Sequence, residues 1–424
     1  MSELPKGWVK TTLGEVCEKI GDGLHGTPKY SIEGEYYFVN GNNLKNGKIV
    51  LKQDTKKVNA EQFEKHKKDL GGNTILLSIN GTIGNLAKYN DEKCILGKSA
   101  AYLNIKSNAS LYFFYYLMLD KKFQYDISKN ANGSTIKNVS LAQLRNYSAT
   151  IPPLPEQKAI AAVLSAFDDK IELLREQNQT LETLAQTIFK EWFVHFNFPF
   201  DFAQGKPDPN GKPYRDNGGE MVDSELGKIP KGWRVGGIRV LVQHIKKSIK
   251  PLEYSNREFL HYSLPAFDSG KRPEKQKGSE INSGKYIVAE NCFLVSKLNP
   301  ATPRVWVVME ASEKSICSTE FQVIKPVKFE LFGFVYGALT SYLIIHELSA
   351  RAHGTSGSHQ RVKPEDILDC PIFIPSNYLI EKYSEITNTH LEKINENLKQ
   401  IQTLSQIRDT LLPKLMNGEI RVKL

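Results

Sequence analysis

Long apolar runs are missing from this chain: none approaches the roughly 20 apolar residues that span a bilayer. The opening "MSELPKGWVK" has no apolar core of the signal-peptide kind. Both absences lead to the expectation of a soluble, cytoplasmic protein with no membrane association. Cysteine is scarce as well. Cys17, Cys94, Cys292, Cys317 and Cys370 stand singly, which excludes a paired-cysteine zinc site and suggests burial as small apolar residues. No glycine-rich loop ending in Lys-Ser/Thr is present, so nucleotide hydrolysis has no starting group. Asn/Asp-Pro-Pro-aromatic, the loop many amino-methyltransferases use, is also lacking; "IPPLP" has a pair of adjacent prolines but neither flanking group. Asp168 and Asp169 are adjacent on a helical pattern, about 100 degrees apart, and do not converge as a metal pair. The nine histidines show no ligand spacing, and His25, His353 and His359 read as solvated or locally bonded groups.

What is present is length, positive charge and repetition. A chain of 424 residues predicts two or three domains. A net charge of +9 with 24% charged residues leaves a mixed-sign surface that favours a polyanionic partner. "LPKGWVKTTLGEV" at Leu4–Val16 is echoed by "IPKGWRVGGIRVL" at Ile229–Leu241. After the first come the strand candidates "YYFV", "TILLSI" and "KSAAYLNI", then the apolar helix candidate "SLYFFYYLMLDKKF", the polar loop "ANGSTIKNVSLAQL" and the run "YSATIPPLP". The second is followed by "EFLHYSL", "KYIVAENCFLVSKL", "RVWVVME", "EFQVIK", the helix candidate "ELFGFVYGALTSYLIIHEL", the loop "AHGTSGSHQRVKPEDIL" and "CPIFIPS". One order of elements occurs twice, the mark of an internal duplication.

Each copy runs into a long helical pattern, Glu156 to about Phe196 and Tyr378 to Met416. In the first, Phe167, Ile171, Leu174, Asn178, Leu181, Ala185, Ile188 and Trp192 alternate by four and three, a coiled-coil seam with one polar member. The second carries Leu391, Ile394, Leu398, Ile401, Leu404, Ile407, Leu411 and Leu415, where consecutive steps of three predict a local change of supercoil. Pro413 can kink or end that helix, and "NGEI" is a plausible stop. Pairing of the two stripes competes with separate burial against neighbouring domains. Between the first helix and the second "PKGW", the Gly/Pro/Asn-rich segment 197–228 reads as an exposed connector. The expected fold class is α+β: two mixed α/β domains in tandem duplication (1–155 and 229–377), separated by two long antiparallel coiled-coil helices (156–196 and 378–424, the latter with a tail) in pseudo-twofold symmetry.

The doubled "PKGW", the Gly/Thr/Ser loops before "IPPLPEQ" and "IPSNYLIEKY", the helix after each, and "MVDSELGKIPKGW" together resemble the specificity subunit of type I DNA restriction-modification systems. That resemblance covers essentially the whole chain. It implies a non-catalytic subunit whose two target-recognition domains read two short elements of double-stranded DNA, a bipartite target. It further implies two methylation subunits docked on the chain and two restriction/translocation subunits able to join. S-adenosylmethionine, ATP and magnesium then belong to those partners, with no cofactor and no metal on this chain. The second copy departs from the first, with "IPSNYLIEKY" for "IPPLPEQKAI" and "PRVWVV" for "NGTIGNLA", as two dissimilar half-sites would require. Two other readings stand beside it: a paired-domain DNA-binding scaffold outside restriction-modification, and a DNA methyltransferase with an unrecognised site.

Lysines neutralise phosphates, and amide side chains offer the donor-acceptor pair that adenine presents in complement. In the first copy the candidates are Lys29, Asn42, Asn43, Lys45, Asn132, Ser134, Thr135, Lys137 and Asn138. Asn and Ser are also ordinary turn formers. In the second they are Arg304, Arg351, Ser356, His359, Gln360, Arg361 and Lys363, since arginine fits guanine and glutamine fits adenine. A solvated basic loop paired with nearby acids is the competing reading. Lys246 and Lys247, with Lys250, suit phosphate contact, and Lys52, Lys56 and Lys57 are generic cations of the same kind. Gly81 and Gly84 in "SINGTIGN" suit a tight turn or an amide contact to phosphate.

Overall fold

The computed structural model describes residues 5–131, 137–353 and 360–423. The chain divides into two compact units, Met1–Leu173 with Gln400–Leu424, and Leu174–Lys399. Each unit contains a length of both long helices.

The first unit begins with the "PKGW" turn, closed by Trp8 N–H donating to Pro5 C=O at 2.9 Å with Gly7 at φ +84°. Strand Val9–Thr12 follows and pairs antiparallel with Ser148–Ile151, the strand that enters the first long helix. Thr12 then caps the short helix Leu13–Val16 through a reciprocal bond pair with Glu15. A four-stranded sheet runs in the order Cys17–Asp22, Ala100–Ile105, Thr74–Ser78, Leu86–Lys88, and a second sheet pairs Tyr36–Val39 in parallel with Cys94–Leu96. The aromatic run predicted as one helix is two, Leu111–Leu119 and Lys121–Lys129, because Asp120 leaves helical geometry and its Oδ1 accepts from Lys122 N–H to cap the second.

The second unit repeats the framing strand pair, the four-stranded sheet and the parallel pair of this plan, while its second sheet has five strands where the first unit has three. Its "PKGW" turn has Trp233 N–H on Pro230 C=O at 3.1 Å and Gly232 at φ +86°. Arg234–Gly237 pairs with Pro371–Ile374 in the register of the first unit, Arg234 opposite Ile374 as Val9 is opposite Ile151. The four-stranded sheet runs Val242–Ile245, Phe321–Pro326, Cys292–Ser296, Val305–Val308, and Glu258–Tyr262 pairs in parallel with Ser315–Cys317. Its apolar helix is again broken in two, Phe332–Thr340 and Tyr342–Arg351, with Ser341 as the cap. The bend makes a core element; Phe332 to Leu339 are buried. Among the described residues no single helix is long and apolar enough to cross a membrane.

The first long helix is Leu154–Phe189, continued by a π turn at Lys190–Val194, and the second is Asn377–Met416. Within each unit the two lengths pack antiparallel. In the first, Ile160 and Leu164 share a core with Leu412 and Leu415, Arg408 donates to Asp168 at 2.5 Å, and Arg421 is paired with Glu156. Asp168 also accepts from Tyr116 Oη at 2.7 Å, so this carboxylate ties the apolar helix to both long ones. In the second, Tyr383 donates to the Ala185 carbonyl at 2.9 Å, and Asn178 accepts from the Asn397 amide at 2.8 Å.

Of the predicted seam, Ile171, Leu174, Asn178, Ala185, Leu391, Ile394 and Leu415 are buried, and Phe167, Leu181, Ile188, Trp192, Leu398, Ile401, Leu404 and Leu411 are half-buried. Ile407 is corrected: it is 41% exposed, and Arg408 takes the inward turn beside Asp168. The seam also contains Asn397, with 0% exposure, one residue before the position that heptad counting selects. Pro413 lies inside the helix, which ends at Met416 before Gly418 at φ +77°.

The connector is a second correction. Residues 199–213 fold as a small sheet of Lys206–Pro207, Pro199–Asp201 and Lys212–Pro213, and Met221–Ser224 pairs with Gly227–Pro230. Phe198 stacks on Tyr214 at 4.7 Å and on Trp233 at 5.3 Å. Its glycines and prolines shape turns of a folded element whose Phe198 and Tyr214, with the half-buried Phe200, belong to the second unit's core, while Phe202 is exposed.

All five cysteines are buried, and burial pushes the Cys17, Cys94, Cys292 and Cys370 thiols up to about 12. That leaves them protonated and inert. His244, His261 and His390, all in the second unit, have pKa values lowered chiefly by burial. A neutral histidine is held in the folded state while the unfolded chain takes up a proton below about pH 6.5. The second unit is expected to hold its stability above that pH and to lose it progressively as pH falls toward the depressed folded values. Melting temperature measured from pH 8 to 5 checks this, with His261→Gln flattening the acid limb; a limb unchanged in that variant would remove His261 from the account.

Candidate nucleic-acid interface

In the first unit the candidate residues lie on loops tied together by short bonds. The turn Gly41–Asn43 leaves strand Tyr36–Val39 through Asn40. Gly41 N–H donates to Ser99 Oγ at 2.9 Å, and Ser99 donates to Asn40 Oδ1 at 3.0 Å. Leu24 bridges to Gly97, and Asn80 bridges to Asn138. These contacts join the loops at 24, 40–43, 80–85, 97–99 and 137–138 into one polar margin. Asn42 and Lys137 are exposed there, as is Lys98, which the sequence hides inside a strand candidate. Gly81 and Gly84 have φ of +74° and +95°, the turn geometry their spacing suggests.

Some candidates are committed to the fold. Asn43 accepts from Asn40 N–H at 2.9 Å and donates to Val50 C=O at 3.1 Å, so both its amide functions serve the turn. Lys29 lies away from the margin, its backbone N–H on Gln62 Oε1 at 3.2 Å. Lys45 is exposed on a two-residue strand paired with Lys48–Ile49. Asn132, Ser134 and Thr135, and in the second unit Ser356 and His359, fall outside the described residues.

The second unit joins equivalent loops. Leu298 bridges to Arg361, two residues beyond its strand as Asn80 is beyond its own. By that register Gln360 occupies the place of Lys137. The Gln360 carbonyl accepts from Asn299 N–H at 2.9 Å, which leaves its side chain outside that bond. The arginines are not the free forks the sequence suggests. Arg304 is clamped by both oxygens of Asp268, at 2.7 and 3.0 Å, with its side chain 16% exposed, and so serves the fold. Arg351 pairs with Glu347 one helical turn earlier at 2.7 Å. Arg361 meets Glu320 at 3.0 Å but its side chain is 60% exposed, so a phosphate could take over that guanidinium at little cost. Lys246 lies 3.9 Å from Glu365, while Lys247 and Lys363 are exposed. Among the described residues no group of three or more His, Cys, Asp or Glu comes together to hold a metal ion. Exposed lysines and a terminal amide on connected loops can grip a phosphate chain and meet a base edge.

Residues 5–183 match the family described as the type I restriction modification DNA specificity domain. The MjaIX specificity subunit of Methanocaldococcus jannaschii is 26% identical over 100% of this chain and 96% of its own length. Residues 5–183 thus carry the specificity domain, and the whole chain is similar to type I specificity subunits. Among other specificity subunits, that of the Haemophilus influenzae HindI enzyme is 24% identical over 76% of this chain and 81% of its own. The crystal structure of the type I system S subunit from M. genitalium shares the fold at 18% identity, with a TM-score of 0.56 over 100% of this chain and 98% of that one. The specificity-domain match ends at residue 183, and the four-stranded sheet and its framing strand pair recur within Leu174–Lys399.

Proposed function

We propose that this chain is a type I specificity subunit that reads two separated DNA half-sites, one with the loop margin of each unit. In this reading it has no catalytic group of its own and holds two methylation subunits at the target, with two restriction subunits able to join in the cytoplasm. S-adenosylmethionine, ATP and magnesium are then requirements of those partners. The observation that carries the reading is the equivalence of the two margins: Asn80–Asn138 and Leu298–Arg361 are the same bridge, and each sets a different side chain, Lys137 or Gln360, at the same place. One scaffold with two different readers suits a bipartite target with unlike halves.

Mapping methylated sites in cells carrying the complete system tests the reading as a whole. A bipartite motif is the expected result, and modification at a single uninterrupted site would overturn it. On that motif, Gln360→Ala should weaken binding by roughly 1–3 kcal/mol, the worth of a good bidentate base contact. The loss should vanish on DNA already altered in the half-site that Gln360 reads, while discrimination at the other half-site stays intact. Equal losses on cognate and altered DNA would reduce Gln360 to a nonspecific or structural role.

A further inference from the structure

The duplication makes it possible to see what fills a space in one unit and not in the other. In the second unit the chain leaves the first long helix through Phe196, at φ +62°. The Phe196 ring lies edge-on to Trp233 at 5.5 Å and to Phe373 at 5.2 Å. In the first unit the chain leaves the second long helix through Gly418, at φ +77°. The partners of that turn are Trp8, equivalent to Trp233, and Thr150, equivalent to Phe373 by the matching strand register. Gly418 and Thr150 thus stand where the second unit has two phenyl rings. A Cβ at Gly418 would meet Pro5 Cγ at 2.6 Å, so Pro5 takes the space there, while beside Thr150 lies a cavity of about 630 Å³, lined by Trp8, Thr150 and Gly418 together with Asp120, Tyr147 and Leu117.

Two polar atoms in the lining lack a partner. Trp8 is 5% exposed and its Nε1–H is unbonded; Asp120 is 8% exposed, and Oδ2 is unbonded while Oδ1 caps the helix. The equivalent cap in the second unit, Ser341, donates to Ala338 C=O at 2.7 Å and accepts from Ile344 N–H at 3.4 Å. Leaving a buried donor and acceptor unmade is unfavourable, so the site gains from a ligand that brings a ring, an acceptor and a donor together. A peptide unit bearing an aromatic side chain has all three.

We infer that the Trp8 cavity of the first unit receives an aromatic side chain from an extended segment of a partner polypeptide, its carbonyl on Trp8 Nε1 and its N–H on Asp120 Oδ2. The second unit fills the same place with its own chain. The inference rests on the assembly reading above, and the test has one arm independent of it. In that arm the full chain, labelled with 5-fluorotryptophan, is titrated with the acetylated peptide His-Phe-Asn-Phe-Pro-Phe-amide, a copy of residues 195–200. The Trp8 fluorine signal, assigned by its loss in Trp8→Phe, should shift, and the Trp233 signal should not. Thr150→Phe, which restores the missing ring, should abolish the shift, and Asp120→Asn, which keeps the helix cap but reverses the bonding sense of the free atom, should weaken it about tenfold. In the other arm a photoreactive benzoylphenylalanine at Ser148, on the exposed rim of the cavity, should cross-link to an aromatic-bearing segment of the methylation subunit in the assembled complex. An unmoved Trp8 signal, a shift produced by adenosine but not by the peptide, or an intact complex without that cross-link would each overturn the inference. Failure of the unlabelled chain to assemble at all would instead sink the assembly reading, and the peptide titration would then decide whether the cavity takes such a segment.

Discussion

Phe193→Ala should lower the stability of the second unit by about 3–5 kcal/mol, the usual loss when a buried phenyl group is removed and its space does not close. Phe193 is 1% exposed, and its ring meets Phe334 at 4.9 Å, Phe189 at 5.0 Å, Tyr383 at 5.2 Å and Trp233 at 5.9 Å. These neighbours come from the apolar helix, both long helices and the "PKGW" turn, so no single element can move in to fill the gap. Phe193 also sits in the π turn, where the wider helical repeat brings it onto the inner face. For a unit of this size the melting temperature should fall by roughly 8–16 °C for a loss near 4 kcal/mol. Calorimetry reads the result, and a fall of less than about 2 °C would show that the aromatic cluster relaxes around the deletion.

The Asn178–Asn397 pair should give changes of opposite sign in single and double variants. Asn397→Leu removes the donor on Asn178 Oδ1 and leaves a polar amide against an apolar group, at a cost of about 1–3 kcal/mol. Asn178→Leu should cost a similar amount, since it orphans the Asn397 amide, whose Oδ1 is already buried without a partner. With both changed to leucine no polar atom is left to desolvate, and the protein should be as stable as the parent or more so. The coupling, about 2–6 kcal/mol as the sum of the two single losses, is obtained from denaturant unfolding of the four proteins as a double-mutant cycle. Additive losses would show that water or other groups serve these amides. The pair would be retained for register, because a buried amide that meets its counterpart in one alignment penalises every other.

Much of the fold is legible in the residues, and the parts that are not share a cause. The repeated "PKGW" turn, the order of strands and the long helices depend on neighbours in sequence, and each has its counterpart in the structure. Asn397 escapes heptad counting because Leu398 beside it is the better apolar match, and only the opposite helix shows which of the two faces inward. The connector reads as loose because Gly, Pro and Asn dominate it, while a few spaced aromatic residues fold it against Trp233. For the site, Asn42, Lys137 and Gln360 reach the loop margins. Arg304 is excluded by Asp268, a partner 36 residues away that no local pattern connects to it. Lys98 is missed for the opposite reason, lying at the start of an apolar run.

The division of the long helices also sets the order in which the molecule can be completed during synthesis. The first unit needs Gln400–Leu424, including Leu412 and Leu415 of its core, yet residues 174–399 are made before them. At about 5–20 residues per second the ribosome takes on the order of ten seconds or more to cross that interval. The unit begun first is therefore the one closed last. Until then the stripe of Ile160 and Leu164 lacks its covering helix, and a chaperone that shields apolar surface has its longest work there.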